Sequence, residues 1–382
     1  MKFNPFAENK TPSRSMFAKK EPSKAPQAPA ELIANLEETF GVHEFLGKEM
    51  RKETFTFFRE LSEQIGEEKT KAILTLTETV LSDSGDLTKL HCNGDDGILS
   101  LQKLPNKLVT LNCGGTQITS LPELPSGLSE LDCGNTRITS LFELPVGLKD
   151  LHCDNCPITS LPELPEGLIT LVCDYTEITS LPTLPTGLEA LSCGHTQITS
   201  LPELPSGLTE LDCGSTQITS LPKLPDGLTA LTCHNIQLTS LPELPDGLEE
   251  LYCDGIQITT LPELPKGLIT LDCSNSQITS LPELPKGLMT LLCDYTAITS
   301  LPELPTSLTK LSCDSTQITS LPVLPVGLEE LHCSSTQISA LPNSPDGLKE
   351  LYCFDTPLAN DPKAIDKLKS QYHGLLVIED YF

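Results

Sequence analysis

Apolar residues return along this chain with a period of 20 residues, from Leu108 to Leu358, and polar residues fall at fixed places between them. Thirteen copies follow the pattern L-x-x-L-x-C-x-x-T-x-I-T-S-L-P-x-L-P-x-G. A strict period of this length predicts a solenoid in which each repeat is one stacked unit. The alternation around Leu131 and Cys133 predicts a short strand with both side chains in the core. We therefore predict a parallel sheet along one face, the concave face.

The other half of each repeat carries L-P-x-L-P. Its prolines fix φ and remove backbone donors, which favours extended, polyproline-like structure over helix on the convex face. The spacing of Leu128, Leu131, Cys133 and Ile138 is that of leucine-rich repeats. We predict an α/β-class leucine-rich-repeat solenoid with a concave parallel sheet, an extended convex face and a helical N-terminal cap.

Periodicity and composition divide the chain into four segments. They are a disordered segment at 1–29, a helical cap at 30–82, the leucine-rich-repeat solenoid at 83–358 and a C-terminal cap at 359–382. The helical cap rests on apolar stripes such as Ile73, Leu76 and Val80, because the open end of a solenoid must be covered. In the C-terminal cap we predict a helix over Pro362–Tyr372 and a strand over Leu375–Ile378.

Threonine returns at one position of most repeats, from Thr116 to Thr356, where its hydroxyl can satisfy the bending backbone. Cys156, Ile236, Ile256 and Ser276 break this hydroxyl ladder. We therefore predict altered backbone pairing around residues 230–260.

Fourteen of the 15 cysteines recur with the repeat, which predicts free thiols packed in the core. Parallel side chains on neighbouring strands suit a disulfide poorly. The repeat histidines face outward while the cysteines face inward, so we expect no metal site and no cofactor.

The chain is strongly acidic, with a net charge of −27 at pH 7. Residues 101–360 carry 31 acidic and 9 basic side chains, a net charge of −22. Such a field excludes nucleic acid as a partner and favours a basic protein surface. Because no run of about 18 apolar residues occurs, we expect no membrane insertion.

The unit L-P-x-L-P-x-G-L-x-x-L-x-C-x-x-T-x-I-T-S closely resembles the short repeats of bacterial effector proteins, the YopM, IpaH and SspH group. The resemblance covers Leu101 to about Leu358. It implies a protein that binds host proteins in the host cytoplasm. Residues 1–29 contain no apolar run long enough for the core of a signal peptide, so we expect secretion without a classical signal peptide, by a type III or a type IV system. Without secretion, the chain would remain in the bacterial cytoplasm.

Part of that group also carries a ubiquitin-ligase domain with a nucleophilic C-x-D motif after the repeats. Cys353-Phe354-Asp355 spells C-x-D, but Cys353 lies on the core phase and 29 residues follow it. A buried thiol is a poor nucleophile. We therefore expect a protein that is not an enzyme.

The outward strand positions vary along the array, and exposed apolar or aromatic residues there are candidate anchors for a partner. Near-identical units, V-C-D-Y-T and L-C-D-Y-T, recur 120 residues apart. Duplication without use is the open alternative for this pair. The candidate protein-binding residues are Val172, Tyr175, His234, Glu250, Tyr252, Asp254, Leu292, Tyr295, His332, Tyr352 and Phe354.

Three functions stay open on the sequence. The first is a non-catalytic effector that binds a host protein through its concave face. The second is a recognition adaptor of a ubiquitin-ligase-like or other enzyme complex. The third is a structural repeat protein of the bacterium.

Overall fold

The computed structural model describes residues 103–342, 345–371 and 375–378, together with 44–45, 48–49, 57–58, 60–61, 66, 69, 80–81, 87–92, 94 and 97–101. A sheet of 16 strands, ordered β3 to β18 as in the chain, runs along the molecule. The strands are β1 (Glu44–Phe45), β2 (Lys48–Glu49), β3 (Val80–Leu81), β4 (Leu87–His91), β5 (Thr110–Asn112), β6 (Glu130–Asp132), β7 (Asp150–His152), β8 (Thr170–Val172), β9 (Ala190–Ser192), β10 (Glu210–Asp212), β11 (Ala230–Thr232), β12 (Glu250–Tyr252), β13 (Thr270–Asp272), β14 (Thr290–Leu292), β15 (Lys310–Ser312), β16 (Glu330–His332), β17 (Glu350–Tyr352) and β18 (Leu376–Ile378).

The strands pair in parallel from β4 to β18, with each residue opposite the one 20 positions away within the repeats. We number the repeat from Leu121 as position 1 to Ser140 as position 20, so each strand covers positions 10 to 12. Leu131 and Cys133, at positions 11 and 13, are 1% and 0% exposed. The predicted alternation is therefore confirmed, with one continuous apolar core behind the sheet.

The return path contains no helix or strand between residues 113 and 342 outside the concave strands. This agrees with the L-P-x-L-P segments, whose prolines lack the donor that a helix needs. The fold is thus a leucine-rich-repeat solenoid with a concave parallel sheet and an extended convex face.

In every repeat, the residue in the turn that follows the strand has a left-handed backbone conformation. Position 15 has positive φ in all 13 repeats, between 51° and 70°. Most occupants are Asn, Gly, Ser or Asp, which accept this conformation more readily than larger side chains. Tyr175, His195 and Tyr295 hold the same conformation, with φ of 54°, 53° and 52°.

The hydroxyl ladder lies just after this residue. Thr216 is buried, and its Oγ1 donates to the carbonyl of Cys213 at 2.8 Å. The hydroxyls of eight further threonines make the same bond in their repeats. The prediction that Ser276 breaks the ladder was wrong, because its hydroxyl also donates to the carbonyl of the cysteine three residues earlier. The altered pairing predicted around residues 230–260 was wrong, because β11, β12 and β13 pair in unbroken register past Ile236 and Ile256.

All 15 cysteines are free and buried. Several thiols donate across the ladder: Sγ of Cys293 lies 3.2 Å from the carbonyl oxygen of Ser312 on the next strand. That oxygen also accepts the N–H of Cys293 at 2.9 Å. Burial raises the pKa of the Cys293 thiol well above its usual range, so these residues act as small core side chains.

The two ends differ in how much of them is described. At the C-terminal end, helix α1 covers Pro362–Gln371 and β18 pairs with β17. At the N-terminal end, Phe57 and Leu61 are buried in the core. The predicted helical cap over 30–82 lies mostly outside the described residues and stays a prediction, as does the segment 1–29. Val80 lies in β3 and not on a helix as predicted.

Candidate protein-binding surface

The concave face is strongly acidic. Across the 13 repeats, carboxylates occupy six places at position 10, three at position 12 and five at position 14, which makes 14 in all. Lys310 is the single lysine at these positions, and its Nζ lies 2.7 Å from Oε2 of Glu330. The face therefore presents a field that attracts cationic groups.

Aspartates of this face also hold the backbone where each strand ends. At position 12, Oδ1 of Asp212 accepts the N–H of Gly214 in the same repeat at 2.9 Å. At position 14, Oδ1 of Asp174 accepts the N–H of Gly194 in the next repeat at 2.6 Å. The carboxyl groups are thus fixed in position by the backbone.

Partial burial makes these carboxyl groups easy to protonate. Burial is the main cause that raises the pKa of Asp174 to about 7, although hydrogen bonds from Ser192 and Gly194 oppose it. Burial likewise raises the pKa of Asp212 to about 6, of Asp272 to about 6 and of Asp314 to about 7. A cation placed beside them would favour their charged form.

An aromatic row crosses four repeats at the end of the strands. The ring of Tyr175 stacks on His195 with the centroids 4.1 Å apart and the planes 8° from parallel. His195 is 6.0 Å from His234 by ring centroids. The ring of His234 lies over Gly214, where an added Cβ would approach it to 2.5 Å. Burial lowers the pKa of both histidines, which disfavours a positive charge on this row.

A second apolar group lies near Tyr295. Tyr295 is 57% exposed, Met289 44% and Ile269 37%, and Leu292 on β14 is half-buried. Position 9 places Ile269 and Met289 on neighbouring repeats. These residues expose apolar surface on an acidic face, as a partner site would.

Two further predicted tyrosines are tied to glutamates of their own strands. The hydroxyl of Tyr252 donates to Glu250 at 3.4 Å, and that of Tyr352 donates to Glu350 at 3.2 Å. Tyr352 also stacks on His332, with ring centroids 4.2 Å apart. Phe354 and Asp254, both at position 14, are half-buried. The structure thus brings His332 and Tyr352 together and leaves Tyr252 with Glu250 several repeats away.

The structure changes the predicted site in two ways. Val172, expected to be exposed, is 7% exposed and offers little surface. His195 was missed, although the 20-residue spacing to Tyr175 at position 15 could have indicated the stack. Whether the other predicted residues bind a partner stays a prediction.

Neither a metal cluster nor a membrane helix occurs in the described part of the chain. There, no three His, Cys, Asp or Glu side chains converge as metal ligands would. None of the helices described is long and apolar enough to cross a bilayer.

This architecture defines a class: a leucine-rich-repeat protein of the short-repeat type, with a variable acidic and aromatic concave face. Two solved structures of YopM are similar to it. YopM from Yersinia enterocolitica is 34% identical over 73% of this chain and 66% of that chain, with a TM-score of 0.65. YopM from Yersinia pestis, described as a leucine-rich effector protein, is 31% identical over 80% of this chain and 88% of that chain, with a TM-score of 0.73. The chain belongs to the family of bacterial effector-type leucine-rich-repeat proteins.

The cysteines that recur at position 13 have a counterpart in another solved structure. The functional domain of InlJ from Listeria monocytogenes, which includes a cysteine ladder, is 26% identical over 71% of this chain and 68% of that chain, with a TM-score of 0.61. Neither a family model nor a curated sequence matches the chain.

Proposed function

We propose that this chain is a non-catalytic scaffold, secreted by a bacterium, that binds a host protein with a basic surface through its concave face. Its family supports this proposal, since leucine-rich-repeat effectors such as YopM are its structural relatives. The acidic concave face supports a basic partner, because complementary charge steers association.

One observation carries the proposal furthest. Tyr175 and Tyr295 are 54% and 57% exposed on the acidic concave face, and both hold a left-handed backbone that disfavours a large side chain. Strained residues of this kind cluster at binding sites. Exposed tyrosines are also common anchors of protein interfaces.

The absence of catalysis is part of the proposal. Cys353 of the C-x-D sequence is 0% exposed, and a thiolate buried in an apolar core is neither formed easily nor reached by a substrate. Secretion, by a type III or a type IV system, rests on the family likeness. It can be tested by fusing residues 1–29 or 374–382 to a reporter and measuring its transfer into host cells.

Affinity capture from host-cell lysate tests the binding function. The bait is the full chain, compared with a double variant that combines Tyr175→Asn with Tyr295→Asn. Asparagine is the natural residue at the same position of four other repeats, at 135, 155, 235 and 275. A matched control, Asn135→Ser with Asn275→Ser, changes the same position on other repeats. Circular dichroism verifies that all three proteins are folded.

We expect a partner that the wild-type chain and the control retain and the double variant loses. Equal capture by all three proteins would place the binding surface elsewhere. No enrichment by folded wild-type protein would instead favour a structural role in the bacterium.

A further inference from the structure

Two repeats of the array share one constellation of side chains. The stretches that begin at Gly167 and Gly287 both place Asp-Tyr at positions 14 and 15, and both place Ser at position 12 of the next repeat. They lie six repeats apart. We call the first, with Ile169, Asp174 and Tyr175, subsite A, and the second, with Met289, Asp294 and Tyr295, subsite B.

The two aspartates make the same bonds. In subsite A, the carboxylate of Asp174 accepts the hydroxyl of Ser192 at 2.6 Å and the N–H of Gly194 at 2.6 Å. In subsite B, Oδ1 of Asp294 accepts the hydroxyl of Ser312 at 2.6 Å and the N–H of Asp314 at 2.6 Å. Since the bonds match pair by pair, the likeness extends from sequence to geometry.

Each subsite also crosses the concave face from an apolar end to an acidic and aromatic end. Position 9 is apolar, half-buried Ile169 in subsite A and exposed Met289 in subsite B. Position 15 is an exposed tyrosine in both. The fixed carboxylate lies between strand and tyrosine, at position 14.

This order suits one kind of side chain. A planar cationic head can stack on the tyrosine ring and donate to the neighbouring carboxylate, while the apolar residue before the strand can contact another side chain of the same partner segment. Arginine has these properties. The ammonium group of lysine is a point charge that neither stacks on a ring nor forms bidentate hydrogen bonds well. Arginine also pairs with a carboxylate that has free acceptor capacity.

We propose that subsites A and B bind two arginine side chains of a single partner segment. Six strand spacings of about 4.8 Å separate the subsites by about 29 Å. An extended peptide that runs along the concave face covers this distance in about nine residues. The inference rests on the proposed scaffold function and specifies which chemistry the partner presents.

The subsites are not identical in their surroundings. Tyr175 has the ring of His195 against one face, and position 15 after Tyr295 is Ser315. Lys310 borders subsite B, but Glu330 pairs with it at 2.7 Å. The ion pair reduces the repulsion that an arginine at subsite B would meet.

Labelled synthetic peptides of Gly and Ser test the inference by fluorescence anisotropy with the full chain at low salt. One peptide carries two arginines about nine residues apart, and a second carries two arginines about four residues apart, too close for both subsites. A third replaces every arginine of the long-spaced peptide by lysine. The proteins are the wild-type chain, Tyr175→Asn, Tyr295→Asn and the control Asn135→Ser with Asn275→Ser.

We expect the wild-type chain and the control to bind the long-spaced arginine peptide at least about tenfold more tightly than the short-spaced one, because the second contact becomes intramolecular. Either tyrosine variant should abolish this difference, and the lysine peptide should bind more weakly. Equal affinity for both spacings, or for lysine and arginine, would overturn the inference and leave only general charge attraction.

The result is separable from that of the lysate capture. If the peptides show no preference while capture still depends on the two tyrosines, the arginine inference fails and the scaffold function stands. If the peptides show no preference and the folded wild-type chain captures no partner, both proposals fail.

Discussion

Replacing Asp174 by Asn should stabilise the folded chain at alkaline pH and have little effect in acid. Burial and the neighbouring Asp212 raise the pKa of Asp174 from 3.8 to about 7. A group whose folded pKa is raised contributes stability below its unfolded pKa and loses it as pH rises through the folded value. A difference of about three units corresponds to at most about 4 kcal/mol above pH 7. Asn keeps an acceptor for the N–H of Gly194 and removes the charge.

The opposing effect is the pair of hydrogen bonds to a charged acceptor, each worth about 1.5–3 kcal/mol. The raised pKa of Asp174 already includes the effect of these hydrogen bonds. We therefore expect Asp174→Asn to raise the free energy of unfolding by about 1–4 kcal/mol at pH 8. Urea unfolding and thermal melting between pH 4 and pH 8 measure this gain.

The matched control is Asp226→Asn, because the side chain of Asp226 is 95% exposed and pairs with Lys223, whose side chain is 89% exposed. It removes the same charge and should change stability by less than about 0.5 kcal/mol. If Asp174→Asn is the less stable protein at pH 8, the charged hydrogen bonds outweigh desolvation and the reasoning fails.

Substitutions at two further sites test the repeat itself. Thr216→Val removes the donor to the Cys213 carbonyl and should lower the free energy of unfolding by about 1–3 kcal/mol. Thr216→Ser keeps the hydroxyl and should lower it by about 1 kcal/mol. If urea unfolding shows the Val variant to be more stable than the Ser variant, the role of the hydroxyl ladder is refuted. Cys213→Asp places an unpaired charge at a site that is 0% exposed and should unfold neighbouring repeats, so a stable variant by circular dichroism would contradict the assigned repeat register.

The fold could be predicted from the sequence because the signal is repeated 13 times. Leucine at position 11 and cysteine at position 13 mark the core in every copy, so chance deviations in one repeat cannot shift the register. The ends lack this redundancy. Val80, assigned to a helical stripe, lies in a strand that pairs antiparallel with β4.

The candidate site was less predictable, since side-chain exposure on a solenoid depends on neighbouring repeats. Ser192 at position 12 is 3% exposed while the Asp174 carboxylate of the preceding repeat accepts its hydroxyl. The alternation of residues along a strand predicts that position 12 faces outward. It does not predict that a side chain of the preceding repeat covers it. The tolerance at Ile236 has a similar cause: the backbone ladder on both sides holds the register without the hydroxyl.

The left-handed backbone at position 15 links stability to the proposed binding role, and the substitution Tyr295→Asn tests that link. Left-handed backbone costs about 1–3 kcal/mol for a residue other than glycine, and Asn reduces this cost. Tyr295 is 57% exposed, so little packing within its repeat offsets the strain. We expect Tyr295→Asn to raise the free energy of unfolding by about 0.5–1 kcal/mol, and the reverse change Asn275→Tyr on the adjacent repeat to lower it similarly. If urea unfolding shows both changes to be neutral, tyrosine is not strained here, and its presence no longer argues for a binding role.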